Sequence, residues 1–117
     1  MDRPYSRFTE NEKAVFRSMY QDMPESDEPP FPEHGLRDIL ESLARLAGNG
    51  HINDEVSIYV TVDATGAATN VDLVEYADVD NAKAVAYVLV KAKYKPAKCG
   101  GEPCTMQWPF RVKLLPY

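Results

Sequence analysis

A chain of 117 residues, 44% apolar and 26% charged, has room for one modest hydrophobic core and the composition of a folded domain rather than a disordered tail. Its net charge of −5 argues against a general binder of nucleic acid or of acidic membrane. No apolar run approaches the ~18–20 residues that a membrane-crossing helix requires, and the first residues, MDRPYSRFTENEK, hold no signal-peptide apolar segment.

Two readings of the compartment stay open on that basis. The chain acts in the cytoplasm as it stands, or it is the soluble part of a longer or processed protein. The charge is uneven: residues 91–117 carry six basic side chains (Lys91, Lys93, Lys95, Lys98, Arg111, Lys113) against one acid, Glu102. Such a basic edge either steers an acidic partner or is the solvated face of a helix and a strand.

Residues 1–8 are polar around Arg3-Pro4 and read as loosely ordered. Thr9 reads as a helix N-cap, with Glu12 completing a capping box. Val15, Phe16, Met19, Tyr20 and Met23 follow at helical spacing, which predicts a helix over 9–22 that stops before Pro24. PESDEPPFPEHG, with four of the nine prolines, is a linker or an extended segment, and Pro29-Pro30-Phe31-Pro32 suits a short polyproline II piece that docks Phe31. Leu36, Ile39, Leu40, Leu43 and Leu46 form one apolar stripe, with Arg37, Asp38, Glu41 and Arg45 outside it; the spacing predicts a helix over 36–47 ended by Gly48-Asn49-Gly50.

The stretch VSIYVTVDATGAATNVDLVEY organises the rest. Val56, Ile58, Val60 and Val62 alternate with Ser57, Tyr59, Thr61 and Asp63, the period of a half-buried strand. Asp63-Ala64-Thr65-Gly66 supplies a turn, and Val71 and Leu73 alternate with Asn70 and Asp72 beyond it. A hairpin with strands over 56–63 and 68–76 follows. Residues 80–93 suit either a buried strand or a helix; their length and alanine content favour a helix over 80–92 with Asp80 as N-cap. The last run, 105–115, alternates Met106, Trp108, Phe110, Val112 and Leu114 against Thr105, Gln107, Pro109, Arg111 and Lys113, and Pro109 marks it as an edge strand or a bulge.

The expected fold is α+β: a three-stranded antiparallel meander sheet (β-β-α-β) with a packed helix, preceded by two extra N-terminal helices. Leu40, Leu43, Ile58, Val60, Leu73, Leu89, Trp108 and Phe110 are the expected core.

No catalytic constellation stands out. There is no G-x-S-x-G, P-loop or G-x-G-x-x-G, and the acid pairs Asp54-Glu55 and Asp78/Asp80 fall in expected loops. Cys99 and Cys104 have C-x4-C spacing, unlike the C-x2-C of zinc ribbons and thioredoxin-type dithiols. They are either two reduced thiols or a disulfide, and a loop reversing direction between Pro96 and Thr105 favours the disulfide. His34 and His51 lie far from both cysteines in sequence, so neither a metal site nor a cofactor is expected. Tyr59 is the exposed aromatic marked as a surface contact.

From Pro29 onward the chain resembles the C-terminal domain of TonB-type energy transducers. Pro30-Phe31-Pro32 resembles the Tyr-Pro motif at the start of that domain. Val56–Asp63, Ala64-Thr65-Gly66 and Ala68–Val74 resemble its strand, turn and second strand, and Asp80–Val90 its helix of alternating alanine and bulky residues. Tyr94-Lys95-Pro96-Ala97 resembles the motif that follows the helix, Gly101-Glu102-Pro103 the Gly-x-Pro turn, and Trp108-Pro109-Phe110-Arg111-Val112 the last strand. The helix 36–47 is interposed relative to the family, and residues 1–28 have no counterpart in it. The resemblance implies an N-terminal helical extension over 1–28 and a TonB-like domain over 29–117. It also implies a periplasmic, non-enzymatic domain that serves TonB-dependent energy transduction or transport by binding an extended peptide of an outer-membrane receptor. Binding would occur by strand addition at Thr105, Gln107, Pro109, Arg111 and Lys113. On this reading the chain is a monomer or weak homodimer, with no membrane insertion by this segment. The competing reading is a stand-alone binding or inhibitor protein that uses its N-terminal helices to recognise one protein.

Overall fold

A computed structural model describes residues 3–20, 23–24, 26–48 and 54–114. Its helices are Glu10–Arg17 (α1), Arg37–Gly48 (α2) and Val79–Lys91 (α3). Its strands are Phe31–Pro32 (β1), Asp54–Val62 (β2), Ala68–Glu75 (β3), Tyr94–Lys95 (β4), Ala97–Cys99 (β5), Glu102–Cys104 (β6) and Met106–Leu114 (β7). The mixed α+β class agrees with the sequence pattern.

The strand order corrects the meander. The main antiparallel sheet runs β3-β2-β7, so β7 returns to β2 and not to β3. β3 and β7 are therefore parallel to each other on opposite edges, a relation that needs a crossover of about a dozen residues, usually a helix. α3 supplies it and packs over β2 and β3. Val56, Ile58, Val60 and Val62 are each 0% exposed, which suits β2 to the central position. Leu73, expected in the core, is only partly buried because β3 is an edge.

Local chemistry sets the helix ends. The α1 capping box forms as expected: Glu12 N donates to Thr9 Oγ1 at 3.1 Å and Thr9 N to Glu12 Oε1 at 2.9 Å. The helix closes at Arg17, earlier than the expected 22, because Met19 and Tyr20 donate three residues back, to Phe16 and Arg17, and tighten the last turn. The N-cap of α3 is Asp78 and not Asp80; the Asp78 carboxylate accepts from Asp80 N at 2.8 Å. On α2 the buried seam is Ile39 and Leu43, while Leu40, expected inside, is 43% exposed on the shoulder of the stripe. Asn49 and Gly50, expected to end that helix, lie outside the described residues, as does His51.

Residues 3–8 are not a loose leader. A short 3-10 turn, Tyr5–Arg7, sets Tyr5 and Phe8 into the core at 3% and 5% exposure. Ring centroids run Phe8–Phe31 at 5.1 Å, Phe16–Phe31 at 5.2 Å, Phe31–Trp108 at 5.8 Å and Trp108–Phe110 at 5.3 Å. This aromatic row joins the N-terminal segment to β7 and anchors Phe31, as the proline-flanked segment suggests. β1 pairs with β4, and Lys95 secures the junction: its ammonium donates to the Pro29 carbonyl at 2.9 Å, lies 3.4 Å from Glu28 and sits 4.8 Å over the Tyr5 ring. Burial lowers the Lys95 pKa, partly offset by the Glu28 charge.

Two turns complete the frame. Asp63 Oδ1 accepts from Thr65 N (2.8 Å) and Ala67 N (3.1 Å), while Gly66, at φ 90°, accepts from Tyr94 N at 3.1 Å. A Cβ on Gly66 would overlap the Tyr94 carbonyl oxygen, so glycine is needed for this close approach as well as for its φ. The expected loop that reverses direction between Pro96 and Thr105 is the β5–β6 hairpin. Cys99 and Cys104 are disulfide-bonded across it, with Cα atoms 5.8 Å apart.

Candidate functional site

The two edges of the main sheet differ. Along β3 the register slips twice, leaving Val74 and Thr69 with no residue of β2 directly opposite. Such bulges twist an edge away from flat pairing. Along β7 the register with β2 is unbroken, from Asp54↔Leu114 to Val62↔Met106. β7 is thus an unbulged edge, with the donor of Pro109 missing from it.

Backbone direction along β7 follows from two contacts. Thr61 directs its carbonyl toward β3, where Thr69 Oγ1 donates to it at 3.4 Å. Its β7 partner, Gln107, directs its carbonyl the opposite way, where Tyr20 Oη donates to it at 2.8 Å. By antiparallel alternation, Gln107, Pro109, Arg111 and Lys113 turn their backbone groups off the sheet, and Trp108 and Phe110 turn theirs toward β2. The proline falls where its absent N–H breaks no ladder bond.

Side-chain parity also agrees with the sequence pattern. Trp108 and Phe110 are buried, Gln107, Arg111 and Lys113 are exposed on the outer face, and Pro109 is half-buried. Thr105 is exposed but precedes β7 rather than lying in it. Arg111 and Gln107 already have partners on the sheet. Arg111 Nε donates to the buried Ser57 hydroxyl at 3.0 Å, and its terminal nitrogens lie 3.8 Å from Glu55 and 3.7 Å from Glu75. Gln107 Nε2 donates to Asp72 at 3.3 Å. Both therefore brace the three strands across the outer face. Lys113 shares a shallow cleft with Asp54, Glu55, Glu75 and Tyr76.

Tyr59, opposite Pro109, is 43% exposed and borders a groove of about 520 Å³ with Met19, Tyr20, Met106, Gln107 and Pro109. In the sequence, Met19 and Tyr20 stand out only as part of an apolar helix stripe. Nothing local in the sequence reveals the Tyr20–Gln107 contact, which spans 87 positions. The Tyr20 ring lies parallel to Phe16 at 6.3 Å, and burial pushes its hydroxyl well above the ordinary tyrosine pKa.

Among the described residues no cluster of His, Cys, Asp or Glu is placed to hold a metal ion. No helix there is long and apolar enough to cross a membrane. His34 is exposed, 4.0 Å from the Glu33 carboxylate. No family model, curated protein or solved structure matches this chain.

Proposed function

We propose that this chain is a protein-interaction domain that binds an extended peptide by adding it as a strand to β7. The observation that carries the reading is the contrast between edges: β3 is bulged twice, whereas β7 keeps an unbroken register and turns outward the backbone groups of Arg111 and Lys113, which have no main-chain partner among the described residues. The outer-face contacts of Arg111 and Gln107 tie β7 to its neighbours through side chains and leave its main-chain groups out of those contacts. Affinity would come from main-chain bonds, and selectivity from Lys113 and the groove at Tyr59. Because Glu55 and Glu75 offset the Arg111 charge, electrostatic selection for an acidic peptide would be weaker than the sequence suggests.

The resemblance to TonB C-terminal domains supplies the finer proposal: a periplasmic domain whose ligand is a peptide of an outer-membrane receptor, in energy transduction or transport. The Cys99–Cys104 disulfide supports an oxidising compartment. The test is a displayed random-heptapeptide selection, followed by amide shift and hydrogen-exchange mapping with the selected peptide. Perturbation along 106–114, with slowed exchange at Arg111 and Lys113, is the expected result. Perturbation confined to 9–47 would reject strand addition and favour recognition through the N-terminal helices.

A further inference from the structure

Resting on the strand-addition reading, we propose that Tyr20 is the stop that sets how far an added strand runs along β7. The Tyr20 hydroxyl donates to the Gln107 carbonyl at 2.8 Å, and by alternation that carbonyl is one of the groups β7 turns off the sheet. An antiparallel newcomer would need the same acceptor, because the residue opposite Gln107 must donate to its carbonyl and accept from its N–H. The newcomer's backbone would run ~4.8 Å from β7. At Gln107 that strip holds the Tyr20 side chain.

Pro109 cannot be the stop. It lacks a donor but keeps its carbonyl, so a strand could pass it with one bond lost. Tyr20 blocks the Gln107 acceptor and the space beside it together. It is also firmly placed: its N–H donates to Arg17 O at 3.1 Å, its ring lies parallel to Phe16, and Phe16 is 2% exposed within the aromatic row. Among the described residues the open stretch is therefore Pro109–Lys113. It offers the Pro109 carbonyl and both groups of Arg111 and Lys113, which suits a short extended segment and not a long strand. The peptide end nearest Pro109 would leave the edge at the groove lined by Met19, Tyr59 and Met106. Tyr20 is thus a positioning residue that fixes the register and length of the bound segment.

The probe is the heptapeptide selected against the whole chain, and the readout is exchange protection at Gln107, Arg111 and Lys113 in wild type, Tyr20→Phe and Tyr20→Ala. In wild type, peptide should slow Arg111 and Lys113 and leave Gln107 unchanged. Tyr20→Phe keeps the ring packing and frees the carbonyl, while Tyr20→Ala also clears the strip; Gln107 protection should appear in rising order. One added main-chain pairing should tighten the Kd by ~2- to 10-fold. Amide shifts far from the groove report whether each variant keeps the fold. Gln107 protected in wild type as strongly as Arg111, or unchanged in both variants while Arg111 and Lys113 respond, overturns the stop and leaves strand addition standing. No β7 protection in any of the three proteins overturns strand addition and the stop with it.

Discussion

Replacing Gly66 with alanine tests the joint that ties the β2–β3 turn to β4. Gly66 has φ 90°, and its carbonyl accepts from Tyr94 N at 3.1 Å. Holding a side chain at such a φ costs ~1–3 kcal/mol. The added Cβ meets backbone, the Tyr94 carbonyl oxygen, so no rotamer change relieves it. The turn must instead back away and give up its bond to Tyr94, another ~0.5–1.5 kcal/mol. The expected loss is about 1.5–4.5 kcal/mol. At roughly 4 °C per kcal/mol for a chain of this size, the melting midpoint should fall by about 6–18 °C in calorimetry. Gly100→Ala is the control. Gly100 also has positive φ, at 60°, but nothing lies within 4 Å of where its Cβ would be, so only the left-handed cost of ~1–2 kcal/mol applies. Equal melting shifts for the two variants would refute the close approach.

Phe8→Ala should cost about 3–5 kcal/mol in a urea titration, because the ring is 5% exposed and packs on Phe31. A loss below ~1 kcal/mol would show that the N-terminal segment lies outside the cooperative core. Asp54 is held below its ordinary pKa chiefly by the Ala77 N–H, with the Asp78 N–H and the Asn81 side chain adding to it. A lowered folded pKa gives stability that is present above the unfolded value of ~3.9 and is lost as pH falls through the folded value. Asp54→Asn should therefore flatten the acid limb of the stability curve, and the gap to wild type should close below about pH 4. A constant gap from neutral to acid pH would contradict this.

What was legible in the sequence was local. The capping box at Thr9 and Glu12, the alternation through β2 and β7 and the Asp63–Gly66 turn each close within a few residues, so pattern and structure coincide. The Cys99–Cys104 pair lies within a short hairpin and was legible for the same reason. The strand order was not, because it depends on where α3 delivers the chain. Even so, a helix between the second and third strands already argues for a crossover. Tyr5 and Phe8 were missed because two rings in a polar leader show no periodicity; Phe8 packs on Phe31, and Tyr5 lies against Phe16 and under the Lys95 ammonium, partners that no local pattern links to them. Leu40 fits the apolar stripe yet lies on its exposed shoulder, since one narrow seam, Ile39 and Leu43, carries the burial. The candidate edge could be placed on the last strand from Pro109 and parity, but Tyr20 could not be assigned to it.

The asymmetry between the sheet's edges also limits how chains could aggregate. A sheet open on both sides can be extended without end, which is the geometry of fibrils. Here β3, bulged at Val74 and Thr69, is a poor template, and β7 is the unbulged edge of the sheet. Two copies meeting β7 to β7 would each use up that edge and present only bulged β3 edges outward. Association through this sheet therefore closes at a pair, by the same logic that makes a two-fold contact self-terminating where a head-to-tail contact is not.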